Sequence, residues 1–230
     1  MPDEPGAFAA LARPTAVLFD LDGTLIDTVQ TRIDSWVEVF ADEGIPTTRD
    51  ALAPLMGIDG RRLVREVAEA AGREVDDGTA ERIDRRCGEI YDRRNTSPTP
   101  LPGVLELVGA IEADEMRWSI ATSSRKEQVA ASVRALGLDQ EPAITDASHV
   151  EHAKPEPDLL LRAAQDLRVD PAACWYIGDS VWDMQASVAA GMPAIGVLAG
   201  SAVGEAELRE AGASIVVKTL LEIAEELETA

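Results

Sequence analysis

Cysteine and long apolar runs are both scarce in this chain of 230 residues. The two cysteines, Cys87 and Cys174, are far apart and lack metal-ligand spacing, which argues against a disulfide framework or a zinc site. No apolar run approaches the roughly 20 residues that a membrane span needs. The stretch MPDEPGAFAALARP (1–14) also lacks the basic segment of a secretory signal. We therefore expect a cytoplasmic protein that does not act at membranes.

Positively charged residues are also few compared with negatively charged ones. The chain has 21 lysine and arginine residues against 42 aspartate and glutamate residues, which gives a formal net charge of −21. Such a surface repels polyanions and argues against nucleic acid as a partner. A small anionic ligand is still compatible with it, because a local basic site can lie inside an acidic surface. Composition does not predict the oligomeric state.

What the chain does contain is a regular alternation of strand-like and helix-like segments. Hydrophobic residues make up 46% of it, enough for a large buried core. The segments 125–137 and 155–169 have the periodicity of amphipathic helices. The short apolar runs are 16–20, 117–123, 142–145, 174–179, 193–197 and 214–217. Because strands that alternate with helices form βαβ units, we predict an α/β fold with a doubly wound, Rossmann-like parallel sheet.

Residues 28–96 interrupt this alternation. Apolar residues recur there at helical spacing in several stretches, with no strand pattern between them. The proline-rich segment NTSPTPLPG (95–103) then leads back to the strand-and-helix pattern. We predict an all-helical cap domain, residues 28–96, inserted into a Rossmann-like catalytic core formed by residues 1–27 and 97–230.

Polar side chains stand at the ends of several predicted strands, shortly after those ends or, for Lys154, just before the helix predicted to begin at residue 155. They are Asp20, Asp22, Thr122, Ser123, Lys154, Asp179 and Asp183. Because the carboxyl ends of parallel strands meet at one edge of a sheet, we expect these side chains to lie close together. The aspartates offer the oxygen ligands that Mg²⁺ prefers. A hydroxyl group and a lysine beside a metal site are suited to binding a phosphoryl group.

This arrangement indicates different roles for the first two acids. Asp20 can act as a nucleophile and form an acyl phosphate. The turn at Gly23 allows Asp22 to reach the leaving group, first as a general acid and later as a general base. Lys154 and Mg²⁺ would stabilise the charge of the transferring group. Taken singly, some of these residues also have a structural interpretation, such as a helix cap for Thr122.

Four short motifs occur in order along the chain. They are DLDGT (20–24), Thr122 at the end of the second strand, Lys154 in KPEPD, and GDSVWD (178–183). With these motifs the chain resembles the haloacid dehalogenase superfamily, specifically its phosphatases with a helical cap after the first motif. The resemblance implies an enzyme that acts on a small phosphorylated metabolite.

The resemblance also implies a role for each matching residue. Asp20 is the expected nucleophile and Asp22 the expected acid/base. Mg²⁺ is expected on Asp20, on the backbone carbonyl of Asp22 and on Asp179, with Asp183 in support. The phosphoryl group is expected to contact Thr122, Ser123, Lys154 and backbone N–H groups near Gly23.

The chain departs from the sequence patterns of several enzyme classes within the superfamily, and these departures reduce the number of possible reactions. Dehalogenases lack the second acid, which is present here as Asp22. Phosphonoacetaldehyde hydrolases use a cap lysine, and residues 28–100 contain none. β-Phosphoglucomutases often carry a cap histidine where this chain has Arg32 and a further acid where Gly178 stands. We therefore predict Mg²⁺-dependent, phosphoglycolate phosphatase-like hydrolysis, with a phosphosugar mutase or a non-catalytic binding module as the alternatives.

The segment LMGIDGRRL (55–63) resembles the specificity loop of such caps. Arg61 or Arg62 is predicted to recognise a carboxylate or a sugar hydroxyl of a small anionic substrate. A solvated helix face is the other interpretation of these two arginines.

Overall fold

A six-stranded parallel sheet forms the core of the computed structural model, which describes residues 7–124 and 126–229. Residues 1–6 of the acidic N-terminal stretch, Arg125 at the start of a predicted helix, and Ala230 lie outside the described residues. The strands are β1 (Ala16–Phe19), β2 (Arg117–Thr122), β3 (Ile144–Asp146), β4 (Cys174–Gly178), β5 (Ala194–Val197) and β6 (Ile215–Val217). All six overlap the predicted apolar runs, which confirms the α/β prediction.

The strand order in the sheet is β3-β2-β1-β4-β5-β6. β1 lies between β2 and β4, with Phe19 opposite both Ile120 and Ile177. The chain therefore winds outward from β1 to one edge of the sheet and then from β4 to the other edge. In sheets of this kind ligands bind beyond the carboxyl ends of the strands, where the winding direction changes. This places the expected site at the ends of β1, β2 and β4.

Helices cover both faces of the sheet, and a further group follows β1. The helices are α1 (Val29–Asp42), α2 (Arg49–Leu52), α3 (Gly60–Ala70), α4 (Asp77–Arg94), α5 (Val104–Ala113), α6 (Lys126–Ala135), α7 (Asp158–Leu167), α8 (Val181–Ala190), α9 (Glu205–Glu210) and α10 (Leu221–Thr229). The helix predicted to begin at residue 155 begins three residues later, because prolines at 155 and 157 disfavour helical backbone before them.

Alternate residues of β1 bury against opposite helix layers. Val17 and Phe19 belong to an apolar cluster that includes side chains of α5 and α10. Ala16 and Leu18 belong to a second cluster that includes side chains of α7 and α8. All four residues are fully buried. Successive residues of a strand point to opposite faces of the sheet, and helices cover both faces here. The run is therefore apolar throughout and does not alternate with polar residues.

Helices α1 to α4 pack around an apolar cluster of their own. Within it, the rings of Trp36 and Phe40 stack with centroids 5.5 Å apart. The connection into these helices and the connection out of them run side by side: Asp27 N donates to the Thr99 carbonyl, and Leu101 N donates to the Leu25 carbonyl. We call α1 to α4, with the loops between them, the cap. The division at 27/28 and 96/97 stays a prediction.

The described residues contain no helix with both the length and the apolarity that crossing a membrane requires.

Candidate active site

Three carboxylates meet at the carboxyl edge of the sheet. Asp20 directly follows β1, Asp179 directly follows β4, and Asp183 lies in the first turn of α8. Each offers an oxygen atom, and these oxygens all lie within 4.8 Å of one another. All three residues are buried. The parallel pairing of β1 with β4 therefore brings together acids that are about 160 positions apart in the sequence.

Lys154 is the positive partner of this cluster. Its Nζ lies 2.5 Å from Oδ1 of Asp20 and 2.8 Å from Oδ1 of Asp183, and its side chain is completely buried. Burial lowers the pKa of Lys154, but the charges of Asp183 and Asp20 outweigh that effect and raise it above its usual range. The lysine is therefore held as an ammonium ion between two carboxylates.

The cluster fits a divalent cation in both charge and chemistry. Three carboxylates against one ammonium group leave a formal charge of −2 in a buried site. Burial, and then the charge of neighbouring carboxylates, raises the pKa of Asp179 well above its usual range. A bound cation relieves that repulsion, and carboxylate oxygens suit a hard ion such as Mg²⁺. The side chain of Asp22 is not part of the cluster.

Gly23 and Thr24 shape the turn beside Asp179. Gly23 has a φ of +89°, and a Cβ atom there would overlap the Asp179 carboxylate. Thr24 Oγ1 donates to Oδ1 of Asp179 over 3.0 Å. Ser201 Oγ donates to the backbone carbonyl of Asp179 over 2.6 Å. The sequence predicted the role of Gly23 in this turn. It did not predict a role for Thr24, although Thr24 is the last residue of the DLDGT motif, or for Ser201.

Asp183 connects the helix start to the buried lysine. Ser180 caps α8, and both its N–H and its Oγ donate to Oδ2 of Asp183, over 3.0 Å and 2.6 Å. On the other oxygen, the Tyr176 hydroxyl donates over 2.9 Å next to Lys154. Four donors thus orient this carboxylate. Tyr176 was not predicted, because within the sequence it reads as an ordinary apolar residue of β4.

Asp22 lies apart from the cluster and is surrounded by donors. Thr28 Oγ1 and Ser124 Oγ each donate to it over 2.6 Å, the Tyr91 hydroxyl donates over 3.0 Å, and Arg32 lies 3.4 Å away. Burial would raise the pKa of Asp22, but the Arg32 guanidinium and then these hydrogen bonds hold it below its usual range. These groups therefore favour the ionised form of Asp22.

Two of the groups around Asp22, Arg32 and Tyr91, belong to the cap, and the sequence alone did not predict their role. The Arg32 guanidinium of α1 stacks 3.5 Å from the centroid of the Tyr91 ring, which lies in α4. Asn95 Nδ2 then donates to the Tyr91 hydroxyl over 2.9 Å. No local pattern pairs Arg32 with Tyr91, since their contact depends on how α1 packs against α4. The only signal was that Arg32 stands where related mutases often have a histidine.

Thr122 and Ser123 lie at the end of β2, next to Asp20. Thr122 is buried, and its Oγ1 accepts a hydrogen bond from Ser124 N over 3.1 Å; because α6 begins at Lys126, this bond belongs to the turn before the helix. The Oγ of Ser123 is buried and has no hydrogen-bond partner among the described residues. An unpaired buried hydroxyl is costly unless a ligand satisfies it. A phosphoryl oxygen is a suitable partner.

A cavity of about 360 Å³ connects this edge of the sheet with the cap. Asp20, Asp22 and Asp179 line its core side, together with Thr122 and Ser123. Its size lies within the few hundred to about 1,000 Å³ of typical small-molecule sites. The structure therefore places a cavity next to the catalytic candidates Asp20, Asp22 and Thr122.

The two cap arginines have different positions. Arg61 lines the cavity, and its guanidinium is bound to Asp59 over 3.2 Å. Arg62 does not line the cavity; it pairs with Glu66 over 2.8 Å and lies 5.1 Å above the Trp182 ring. Successive helix residues point about 100° apart, which explains why adjacent arginines of α3 have separate surroundings.

Comparison with known proteins agrees with this geometry. Residues 17–197 match the family described as haloacid dehalogenase-like hydrolase. A hydrolase of known structure from Pseudomonas syringae is 31% identical, covers 93% of this chain and 98% of its own, and superposes with a TM-score of 0.88. N-acetylmuramic acid 6-phosphate phosphatase from Pseudomonas putida is 30% identical over 220 residues, which are 95% of this chain and 98% of that protein.

A plant protein also matches. Protein SUPPRESSOR OF QUENCHING 1, chloroplastic, from Arabidopsis thaliana is 33% identical over 207 residues. The match spans 88% of this chain but only 19% of the length of the plant protein.

Proposed function

Since the chain belongs to the haloacid dehalogenase-like hydrolase family, we propose that it hydrolyses a small phosphomonoester through a phosphorylated Asp20. The observation that carries the proposal is the buried cluster of Asp20, Asp179 and Asp183, with Lys154 bound to two of its members. The cluster adjoins a cavity that can hold a small molecule. The phosphatase from Pseudomonas putida, similar along nearly its whole length, supports the same class of reaction.

In the first step a carboxylate oxygen of Asp20 attacks the phosphorus atom. A bond forms between that oxygen and phosphorus, and the bond between phosphorus and the leaving-group oxygen breaks. The pKa of Asp22 is lowered, so its protonated form is the minor one; that form donates its proton to the leaving oxygen, and the product departs as an alcohol. Asp22 suits this task because it lies two residues from the nucleophile and lines the same cavity.

In the second step water attacks the phosphorus atom of the phosphorylated Asp20. Asp22, now ionised, accepts the proton of that water. The bond between phosphorus and the Asp20 oxygen breaks, and inorganic phosphate leaves. The donors around Asp22 favour its ionised form, which is the form that this step needs.

The remaining polar groups would bind the phosphoryl group. Lys154 supplies a fixed positive charge next to Asp20. Thr122 and the unpaired hydroxyl of Ser123 supply polar contacts from the end of the neighbouring strand β2. Groups that are already oriented need no rearrangement as charge moves during the transfer.

The acidic cluster is also the proposed Mg²⁺ site. The carboxylates of Asp20 and Asp179 and the backbone carbonyl of Asp22 would hold the ion, with Asp183 in support. When bound, Mg²⁺ would supply positive charge that stabilises the oxygens of the transferring phosphoryl group.

Phosphate release from a panel of phosphomonoesters tests the proposal. The panel contains p-nitrophenyl phosphate, phosphoglycolate, β-glucose 1-phosphate and hexose 6-phosphates, each with and without Mg²⁺. We expect release that requires Mg²⁺ and is abolished in Asp20→Asn, whereas Asp139→Asn, at an exposed position, should retain it. Conversion of β-glucose 1-phosphate to glucose 6-phosphate without phosphate release would favour the mutase. Folded protein that turns over no member of the panel would contradict catalysis.

A further inference from the structure

The cap side of the cavity carries several charged groups. We call this part the cap chamber and define it by its five charged residues, which are Arg32, Asp59, Arg61, Glu81 and Asp84. Two positive and three negative side chains leave the chamber with a formal charge of −1. In the proposed reaction the phosphoryl group binds at the sheet edge, so the leaving group must occupy this chamber. The charges of the chamber therefore act on the leaving group.

Both arginines of the chamber already bind acids. Arg32 lies 3.4 Å from Asp22. Arg61 lies 3.2 Å from Asp59 and 3.9 Å from Glu81. Against the lowering effect of burial, Asp22 chiefly raises the pKa of Arg32; Asp59 chiefly raises that of Arg61, and the negative charge of Asp84 adds a smaller effect on both. A carboxylate on the substrate would have to compete with these internal partners.

Glu81 and Asp84 are held on the same face of α4. Their spacing of three residues places their side chains on adjacent turns. Asp84 packs closely against Gly60, the first residue of α3. A Cβ atom at Gly60 would overlap the carboxylate of Asp84. Both acids are half-buried. Asp84 is therefore part of the chamber wall through its packing on Gly60, whereas the side chain of Glu81 is 41% exposed and lies near Arg61.

We infer that the substrate's leaving group is uncharged and rich in hydroxyl groups, as in a sugar or polyol phosphate, and that Glu81 and Asp84 select it over carboxylate-bearing compounds. This inference rests on the proposed function and specifies its substrate class. Hydroxyl groups donate to ionised carboxylates and accept from guanidinium groups, so a polyol can satisfy both kinds of side chain. A carboxylate would meet like charges in a partly buried space, which is costly. Of the two groups that the sequence left open for recognition by Arg61 or Arg62, a carboxylate or a sugar hydroxyl, the chamber favours the hydroxyl.

The rest of the chamber agrees with such a ligand. Apolar side chains of the cap, Trp36, Leu55 and Ile58, line the same cavity and can contact the carbon framework of a sugar. An ammonium group would suit the acids, but it would lie beside the guanidinium groups of Arg32 and Arg61. The mixture of both signs with apolar walls therefore favours a neutral, hydroxylated group over either kind of ion.

The test compares kcat/KM for leaving groups that differ in charge. The substrates are sorbitol 6-phosphate, phosphoglycolate, phosphoethanolamine and p-nitrophenyl phosphate. The variants are Glu81→Gln, Asp84→Asn and their combination, with Glu89→Gln as the matched control, since Glu89 is exposed on the same helix. Circular dichroism and thermal melting establish that each variant is folded.

We expect wild type to prefer the polyol phosphate over phosphoglycolate by at least tenfold in kcat/KM. In the double variant that ratio should fall by on the order of tenfold, because two like charges have been removed, while the control keeps it. A wild-type preference for phosphoglycolate or phosphoethanolamine would overturn the inference, and so would an unchanged ratio in the folded variants. Should the double variant fail to fold, the wild-type ranking and the single variants still decide. Failure to hydrolyse even p-nitrophenyl phosphate would instead contradict the proposed function.

Discussion

Replacement of Lys154 by methionine should strongly destabilise the folded protein. The side chain of Lys154 is fully buried, and its ammonium group contacts carboxylates of two different elements, Asp20 after β1 and Asp183 in α8. Methionine has a similar volume, so that the change removes the charge without creating a large cavity. What it leaves behind is a buried group of carboxylates without their positive partner.

The size of the effect follows from this geometry. Removing one partner of a buried ion pair costs about 3–5 kcal/mol, because the other charge remains buried without compensation. Lys154 has two such partners, which would increase the cost. The pKa of Asp20 is already raised by burial, so this carboxylate can take up a proton and limit the loss. We therefore expect the free energy of unfolding to fall by about 3–5 kcal/mol, a large part of a typical total of about 5–15 kcal/mol.

Urea denaturation in the presence of EDTA measures this loss. The matched control is Lys218→Met, at an exposed position, which should change the free energy of unfolding by no more than about 0.5 kcal/mol. Added Mg²⁺ should recover part of the loss, because an ion that binds only the folded state stabilises it by mass action. A loss below about 1 kcal/mol in Lys154→Met would refute the view that Lys154 balances a buried charge cluster.

Three further substitutions test other parts of the site. Gly23→Ala places a side chain at a positive φ and makes its Cβ atom overlap the Asp179 carboxylate. It should destabilise the fold by more than about 1 kcal/mol, measured by denaturation, and weaken Mg²⁺ binding, measured by calorimetry. Tyr91→Phe removes a hydrogen bond to Asp22 and should lower kcat severalfold, about 1 kcal/mol. Trp182→Phe removes a 2.9 Å hydrogen bond to a cap carbonyl and should raise KM severalfold, as steady-state kinetics would show.

Each of these predictions has its own control or contrary result. Gly44→Ala also introduces a side chain at positive φ, but its nearest neighbours are 4.0 Å away, so Mg²⁺ binding should not change. Tyr91→Phe with wild-type kcat would mean that Asp22 is oriented by its other donors alone. An unchanged KM in Trp182→Phe would mean that this contact does not help to hold the cap against the core.

The sequence by itself determined the strands and the location of the acids. Each apolar run of the core is short and dense because its strand is covered on both faces, and that pattern is visible without coordinates. Asp20 and Asp179 stand at the ends of such runs, and parallel strands place their carboxyl ends together. The prediction of one acidic site at that edge therefore needed only the strand pattern and the right-handed connections.

Only the tertiary structure decided how these groups are paired and what the cap presents to them. The contacts of Tyr91 and Arg32 with Asp22 join the cap to the core, and their residues carry no local signal of that contact. The sequence does not distinguish the adjacent Arg61 and Arg62. In the folded protein, Arg61 lines the cavity and Arg62 packs on Trp182. The physical reason is that periodicity reports which face of a helix is buried, whereas the partner of each polar group depends on how separate helices and strand ends pack.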